Sequence, residues 1–216
     1  MLKTKRQEID LLLKRGQQDP LPIMEQFYTL QGEGAWSGTA SWFVRLAGCD
    51  VGCHWCDVKE SWTPAEDQYQ SCDSIVAKAL EAGANRVVIT GGEPSIYNLT
   101  TLTQKLKEAG LAVHIETAGP HPLTGTFDWV TFSPKKFLPA KDEYYQRAHE
   151  LKIVIFNERD LEWAEEHAAR CADHVQLYLQ TEWSRRDRIS PKLVEYVKQN
   201  PKWRLSIQTH KYIDIP

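Results

Sequence analysis

No apolar run in the 216-residue sequence approaches the roughly 20 residues that a membrane-spanning helix requires. Residues 1–15 mix acids and bases where a signal peptide would place an apolar centre. A formal net charge of -3 provides no overall basic field, so extensive binding to a nucleic-acid backbone lacks the clustered Lys and Arg it needs. Internal repeats, low-complexity stretches and blocks of like charge are also missing, and nothing marks a linker between domains. The five cysteines, an odd number, do not form the paired framework of a small secreted domain. These absences predict a cytoplasmic protein that acts on a small molecule, with no nucleic acid and no membrane as partner.

What is present fits a globular chain: hydrophobic residues make up 42% and charged residues 25%. The length suits one domain. Ile9, Leu12 and Leu13, at near-helical spacing before Gly16, predict a short amphipathic helix over residues 3–14. Residues 1–22 read as an N-terminal extension and 23–216 as a single domain. A strand is expected over 23–30, followed by a loop carrying Gly32, Gly34 and Gly38.

From Ala40 onward, short apolar stretches at 42–47, 86–90, 112–117, 129–132, 152–156, 175–179 and 204–207 alternate with helical patterns at 74–82, 99–109, 161–170 and 191–199. Alternation of this kind predicts an α/β fold with a mostly parallel sheet and chemistry at the strands' carboxyl ends. Six or seven strands are too few for a closed eight-stranded barrel, so an incomplete TIM-like barrel is expected.

The sharpest chemical signal is Cys49-Asp50-Val51-Gly52-Cys53-His54-Trp55-Cys56, three thiols on the loop after the 42–47 strand. Cys72 and Cys171 stand apart and read as small buried hydrophobes. A 4Fe-4S cluster held by three cysteines leaves one iron free to take a non-protein ligand. The competing reading is a zinc-stabilised binding module, but zinc wants four ligands and His54, flanked by two of the cysteines, is awkwardly placed to complete the set.

Thr90-Gly91-Gly92-Glu93-Pro94 follows a strand, and its two glycines let the backbone approach a ligand closely. His114-Ile115-Glu116 ends another strand with a carboxylate suited to ribose hydroxyls. Ser133-Pro134-Lys135 ends a third with a cation suited to a carboxylate. Each of these also has a purely structural reading as a turn or a solvated strand end.

The cysteine spacing resembles the radical S-adenosylmethionine motif, and 90–94 resembles that superfamily's GGEP segment. More closely, the chain resembles the 7-carboxy-7-deazaguanine synthase family over residues 25–216. The resemblance is carried by 27–34 (FYTLQGEG), 43–49 (FVRLAGC), 90–94, 133–135 and 208–211 (QTHK).

The resemblance implies a radical lyase fold and a 4Fe-4S cluster on Cys49, Cys53 and Cys56. It places S-adenosylmethionine against Trp55, Cys56, Asp57, Gly92, Glu116, Ser133 and Lys135. The substrate 6-carboxy-5,6,7,8-tetrahydropterin would meet Leu30, Gln31, Gly32, Arg45, Thr90 and Pro216. An electron donor such as flavodoxin or ferredoxin and a homodimer are implied as well. The family usually carries Thr or Ser where this chain has Val58, whose side chain offers no oxygen to magnesium. A magnesium requirement is therefore an open expectation, with water, substrate or Asp57 as the remaining donors. A radical activase acting on a partner protein's glycine shares the three-cysteine motif and is the alternative enzyme.

Overall fold

The computed structural model describes residues 18–216; the helix expected over 3–14 lies outside them. Nine strands form one sheet: β1 (Leu21–Leu30), β2 (Ala40–Leu46), β3 (Tyr69–Gln70), β4 (Arg86–Gly91), β5 (Ala112–Thr117), β6 (Trp129–Phe132), β7 (Glu150–Ile155), β8 (Gln176–Thr181) and β9 (Trp203–Ser206). Their order is β3-β1-β2-β4-β5-β6-β7-β8-β9. From β2 to β9 every neighbouring pair is parallel, whereas β1 runs antiparallel to both β2 and β3. The parallel run holds seven strands, while the antiparallel β1 and β3 bring the sheet to nine, more than the six or seven expected; the sheet has two edges and is not closed, so an incomplete barrel forms.

Among the described residues six α-helices accompany the strands: α1 (Cys72–Glu81), α2 (Thr100–Glu108), α3 (Glu143–Arg147), α4 (Asp160–Ala168), α5 (Arg186–Gln199) and α6 (Thr209–Ile213). The longer ones bury one apolar stripe each, such as Ile75 and Ala79 of α1 or Leu102 and Leu106 of α2. Ser71 caps α1 by accepting from the Ser74 amide at 3.2 Å. Cys72 is fully buried in the main core and Cys171 packs beside it.

Period-two alternation divides the strand residues between two environments. Val44 and Leu46, Val87 and Ile89, Val113 and Ile115, Val130 and Phe132, and Leu151, Ile153 and Ile155 belong to the core that the helices cover. The alternate positions Arg45, Thr90, Glu116, Lys152 and Gln180 line a cavity inside the partial barrel. Stability and chemistry thus occupy opposite faces of the same strands.

Three local differences from the sequence reading have physical causes. Helix α5 begins at Arg186 and holds Pro191 inside it, five residues earlier than expected. Ile189 and Leu193, one turn apart and each 1% exposed, anchor that first turn and outweigh the N–H that Pro191 lacks. Strand β1 starts at Leu21, fully buried, and Asp19 accepts from the Cys72 amide at 3.0 Å, so residues from Gln18 on pack into the domain. The short elements β3, α3 and α6 carry too few residues to show a period.

Candidate active site

The loop after β2 turns at Gly48, whose φ of +99° lies in the region glycine favours. Its amide donates to the Ser61 carbonyl at 2.6 Å and the Cys49 amide to the Trp62 carbonyl at 3.1 Å, which closes 48–62 into a compact loop. Tyr97 braces the entry by donating its hydroxyl to the Ala47 carbonyl at 2.6 Å. Cys49, Cys53 and Cys56 pack with Val51, Trp55, Ala118 and Leu138 in a small cluster of their own.

The turn after β4 fits against this loop with no space to spare. A Cβ on Gly92 would stand 2.2 Å from the Gly48 oxygen, and one on Gly91 2.2 Å from the Leu46 oxygen. Glu93 is 1% exposed and serves as a strut: it accepts from the Ser95 amide at 2.9 Å and the Ala118 amide at 2.8 Å, and bonds the Thr117 hydroxyl. The motif at 90–94 therefore locks the ends of β2, β4 and β5 together.

Across the cavity, Gln31 Nε2 donates to Glu116 at 2.7 Å, and Lys135 Nζ donates to Ser133 Oγ at 2.7 Å. Arg45 is paired with Glu25, its cross-strand neighbour on β1, at 2.5 Å. The loop after β1 crosses the open side of the barrel: Gly34 N donates to Ser206 Oγ at 3.0 Å and Ala35 N to Glu150 at 2.9 Å. The segment after β9 seals it, with the Thr209 amide donating to the Gly32 carbonyl at 2.9 Å and Lys211 donating to Asp57 at 2.8 Å.

These pieces enclose a cavity of about 400 Å³. Every residue that the sequence reading assigned to cluster, cofactor or substrate lines it, including Leu30, Thr90 and Pro216. Val58 lines it too. Sequence reasoning assigned no role to Glu33, Lys152, Gln180, His210 or Lys211, which also line it. His210 packs where a Gly32 Cβ would go, 2.0 Å from its Nδ1. Glu33 lies in the 27–34 segment and His210 and Lys211 in the QTHK segment at 208–211, both quoted without roles for these residues, whereas Lys152 and Gln180 carried no signal.

The donor set fits an iron-sulfur cluster. Three thiols share one cavity wall, while His54 stacks edge-on against Phe137 and Phe156, with ring centroids 5.4 and 5.6 Å away. Among the described residues, no group of three or more His, Cys, Asp or Glu closes on a single metal ion. A cluster takes one thiolate at each of several irons, whereas zinc needs four ligands around one point. Burial pushes the Cys49 thiol up to about 12 and Cys53 to about 11, the latter opposed by Lys135. Such thiols ionise against a strong positive centre, which iron supplies.

An open, mostly parallel α/β barrel with a three-cysteine loop at the carboxyl end of its first parallel strand defines a radical S-adenosylmethionine protein, and residues 44–157 match the radical SAM superfamily. The relatives narrow this. The chain is 51% identical to the 7-carboxy-7-deazaguanine synthase of Flavobacterium psychrophilum over 97% of this chain and 98% of that one. It is 45% identical to that of Synechocystis over 90% and 93%, and 38% identical to that of Escherichia coli K12 over 90% and 98%. The crystal structure of QueE from Escherichia coli superimposes with a TM-score of 0.78 at 36% identity, covering 88% of this chain and 94% of that one. The chain belongs to the 7-carboxy-7-deazaguanine synthase family. The Flavobacterium alignment also reaches into residues 1–22, so that segment is shared with at least one relative.

Proposed function

We infer that this protein is a carbon-nitrogen lyase that converts 6-carboxy-5,6,7,8-tetrahydropterin to 7-carboxy-7-deazaguanine with loss of ammonia, in queuosine biosynthesis. The observation that carries the reading is the convergence of four separate motifs on one cavity, namely the cysteine loop, the 90–94 turn, the 133–135 strand end and the 30–34 loop. When bound, the cluster and S-adenosylmethionine supply one-electron chemistry that removes a hydrogen atom from the substrate.

The chain's own residues bind and orient. Cys49, Cys53 and Cys56 each hold one iron. Trp55, Asp57 and the Gly92 backbone would face the cofactor, Glu116 would accept from its ribose hydroxyls, and Lys135, held by Ser133, would face its carboxylate. Leu30, Gln31, Gly32, Thr90 and Pro216 shape the pterin site. Arg45 offers its guanidinium to the substrate carboxylate while shared with Glu25.

The residues do not fit a magnesium site of the family's kind. Val58 has no oxygen in its side chain, and the neighbouring Asp57 is already paired with Lys211 at 2.8 Å. The reductant is a flavodoxin or ferredoxin, and the working form is a cytoplasmic homodimer. Among the described residues no helix is long and apolar enough to cross a membrane.

The test is anaerobic incubation of reconstituted protein with S-adenosylmethionine, reductant and the pterin, followed by mass analysis. Formation of 7-carboxy-7-deazaguanine is the expected result. Accumulation of 5'-deoxyadenosine alone would mean a different substrate.

A further inference from the structure

One ammonium group sits between two carboxylates that reach the cavity from different elements of the fold. Lys152, in the middle of β7, is 4% exposed. Its Nζ is hydrogen-bonded to Glu33 and lies 3.5 Å from Glu116 Oε2. Glu33 comes from the loop after β1 and Glu116 from the end of β5. Each carboxylate has a second tether: Gln208 Nε2 donates to Glu33 at 2.8 Å, and Gln31 Nε2 donates to Glu116 at 2.7 Å. Glu150, on the same strand, is engaged elsewhere, accepting from the Ala35 amide at 2.9 Å and the Thr131 hydroxyl at 3.1 Å.

A buried carboxylate persists only with a partner that outweighs its lost hydration. Burial alone would drive the Glu33 carboxyl up, but Lys152 together with Gln208 holds it down at about 2. Glu116, Glu33 and Glu150 in turn hold Lys152 above the ordinary lysine value against its burial. An ionised carboxylate is an acceptor only, so its partner in the cavity must bring N–H or O–H donors. A pterin edge and a ribose diol both do.

We propose that Lys152 is a positioning residue of this enzyme, orienting Glu33 on the substrate side and Glu116 on the ribose side as hydrogen-bond acceptors through one shared ammonium. The proposal rests on the activity inferred above. It assigns to Lys152 no contact with either ligand. Its effect reaches the reaction through the two carboxylates, which makes binding of both ligands depend on one strand position.

The experiment compares the full, cluster-loaded chain with Lys152→Met and Lys152→Arg. Product formation by the unsubstituted enzyme is the control; its failure overturns the activity and not the role of Lys152. For Lys152→Met, cluster absorption is retained, KM rises for both ligands, and kcat/KM for the pterin falls roughly 100-fold, the scale of a small misplacement of reacting groups. The acidic limb of kcat/KM against pH moves upward by about one unit or more as Glu33 loses its cation. Lys152→Arg recovers part of the rate and restores the limb.

Glu116, Glu150, His210 and Lys135 also face this group, so the titration is assigned by 13C NMR of glutamate-labelled protein, using the carboxyl signal lost in Glu33→Gln. In the unsubstituted protein that signal stays ionised between about pH 4 and 8, where an ordinary glutamate titrates near 4.3. An unmoved acidic limb in Lys152→Met, or a rate loss matching only the loss of folded, cluster-loaded protein, overturns the proposal. If Lys152→Met does not fold, Lys152→Arg and the NMR titration of the unsubstituted chain decide it. A Glu33 signal that titrates above about pH 4 then counts against Lys152.

Discussion

The carbonyl oxygen of Gly48 lies 2.2 Å from where a Cβ on Gly92 would stand, with the Gly48 carbonyl carbon at 2.7 Å and Cys49 Cβ at 3.0 Å. Both neighbours belong to the cysteine loop, and the nearer is backbone, which cannot swing aside as a side chain tip does. Gly92→Ala is therefore expected to displace the loop, at a stability cost of about 1–3 kcal/mol for overpacking. Iron and sulfide content per chain should fall together with turnover. Full iron content in this variant would show that the two turns can separate without consequence.

Asp57 and Val58 lead to a prediction about metal. With Lys211 on Asp57 and no oxygen in the Val58 side chain, chelation of divalent cations should leave turnover within about twofold of the untreated enzyme. Val58→Thr adds a hydroxyl and is expected to create stimulation by magnesium. A large loss of rate on chelation would mean that water or substrate oxygens complete a magnesium site by themselves.

Arg45 faces the cavity with a side chain 21% exposed, and its single acidic partner, Glu25, is 45% exposed. Replacing Arg45 with Ala should lower kcat/KM for the pterin about 10- to 100-fold, the scale of one lost charge-assisted hydrogen bond. The cluster's absorption should not change, since Arg45 lies four residues before Cys49. Equal turnover would remove Arg45 from the substrate site.

Acid stability should depend on buried neutral histidines. Burial lowers His114 to about 4, with Arg86 adding to the effect, and burial lowers His167 to about 4 as well. A group whose folded value lies below its unfolded one binds more protons when unfolded, so stability falls as pH drops from the unfolded histidine value near 6.5 toward 4. The Glu33 carboxylate adds to that slope only at its acid end, because its own loss sets in as pH falls through the unfolded glutamate value. Urea midpoints measured by circular dichroism should decline across this window, and His114→Leu should flatten the decline. An unchanged slope would place the acid sensitivity elsewhere.

The barrel was legible because the helix-facing positions alone, such as Val87 and Ile89 or Leu151 and Ile153, produce an apolar stretch that reads as a strand. That same averaging hid Lys152. A single lysine within an aliphatic run looks like an edge residue, and only its pairing with Glu33, on a loop remote in sequence, reveals a buried ion pair. The cysteine, 90–94 and 133–135 motifs could be read locally since each carries its characteristic residues within a few positions. Glu25 opposite Arg45 and His210 against Gly32 could not, because sheet register and the return of the chain after β9 create them. Helix α5 starts before the 191–199 pattern for a related reason: the packing of Ile189 carries the helix back past Pro191 to Arg186.

The division of each strand into a helix-facing set and a cavity-facing set has a consequence for how such a protein can diverge. Exchanges among Val, Ile and Leu at Val44, Val87, Ile115 or Ile153 alter packing volume and leave the cavity wall untouched, so they can drift almost freely. One position along, at Arg45, Thr90, Glu116 or Lys152, the same strand carries recognition chemistry. A lineage can thus adjust heat tolerance and substrate choice through separate alphabets interleaved in one sequence, each read at every second residue.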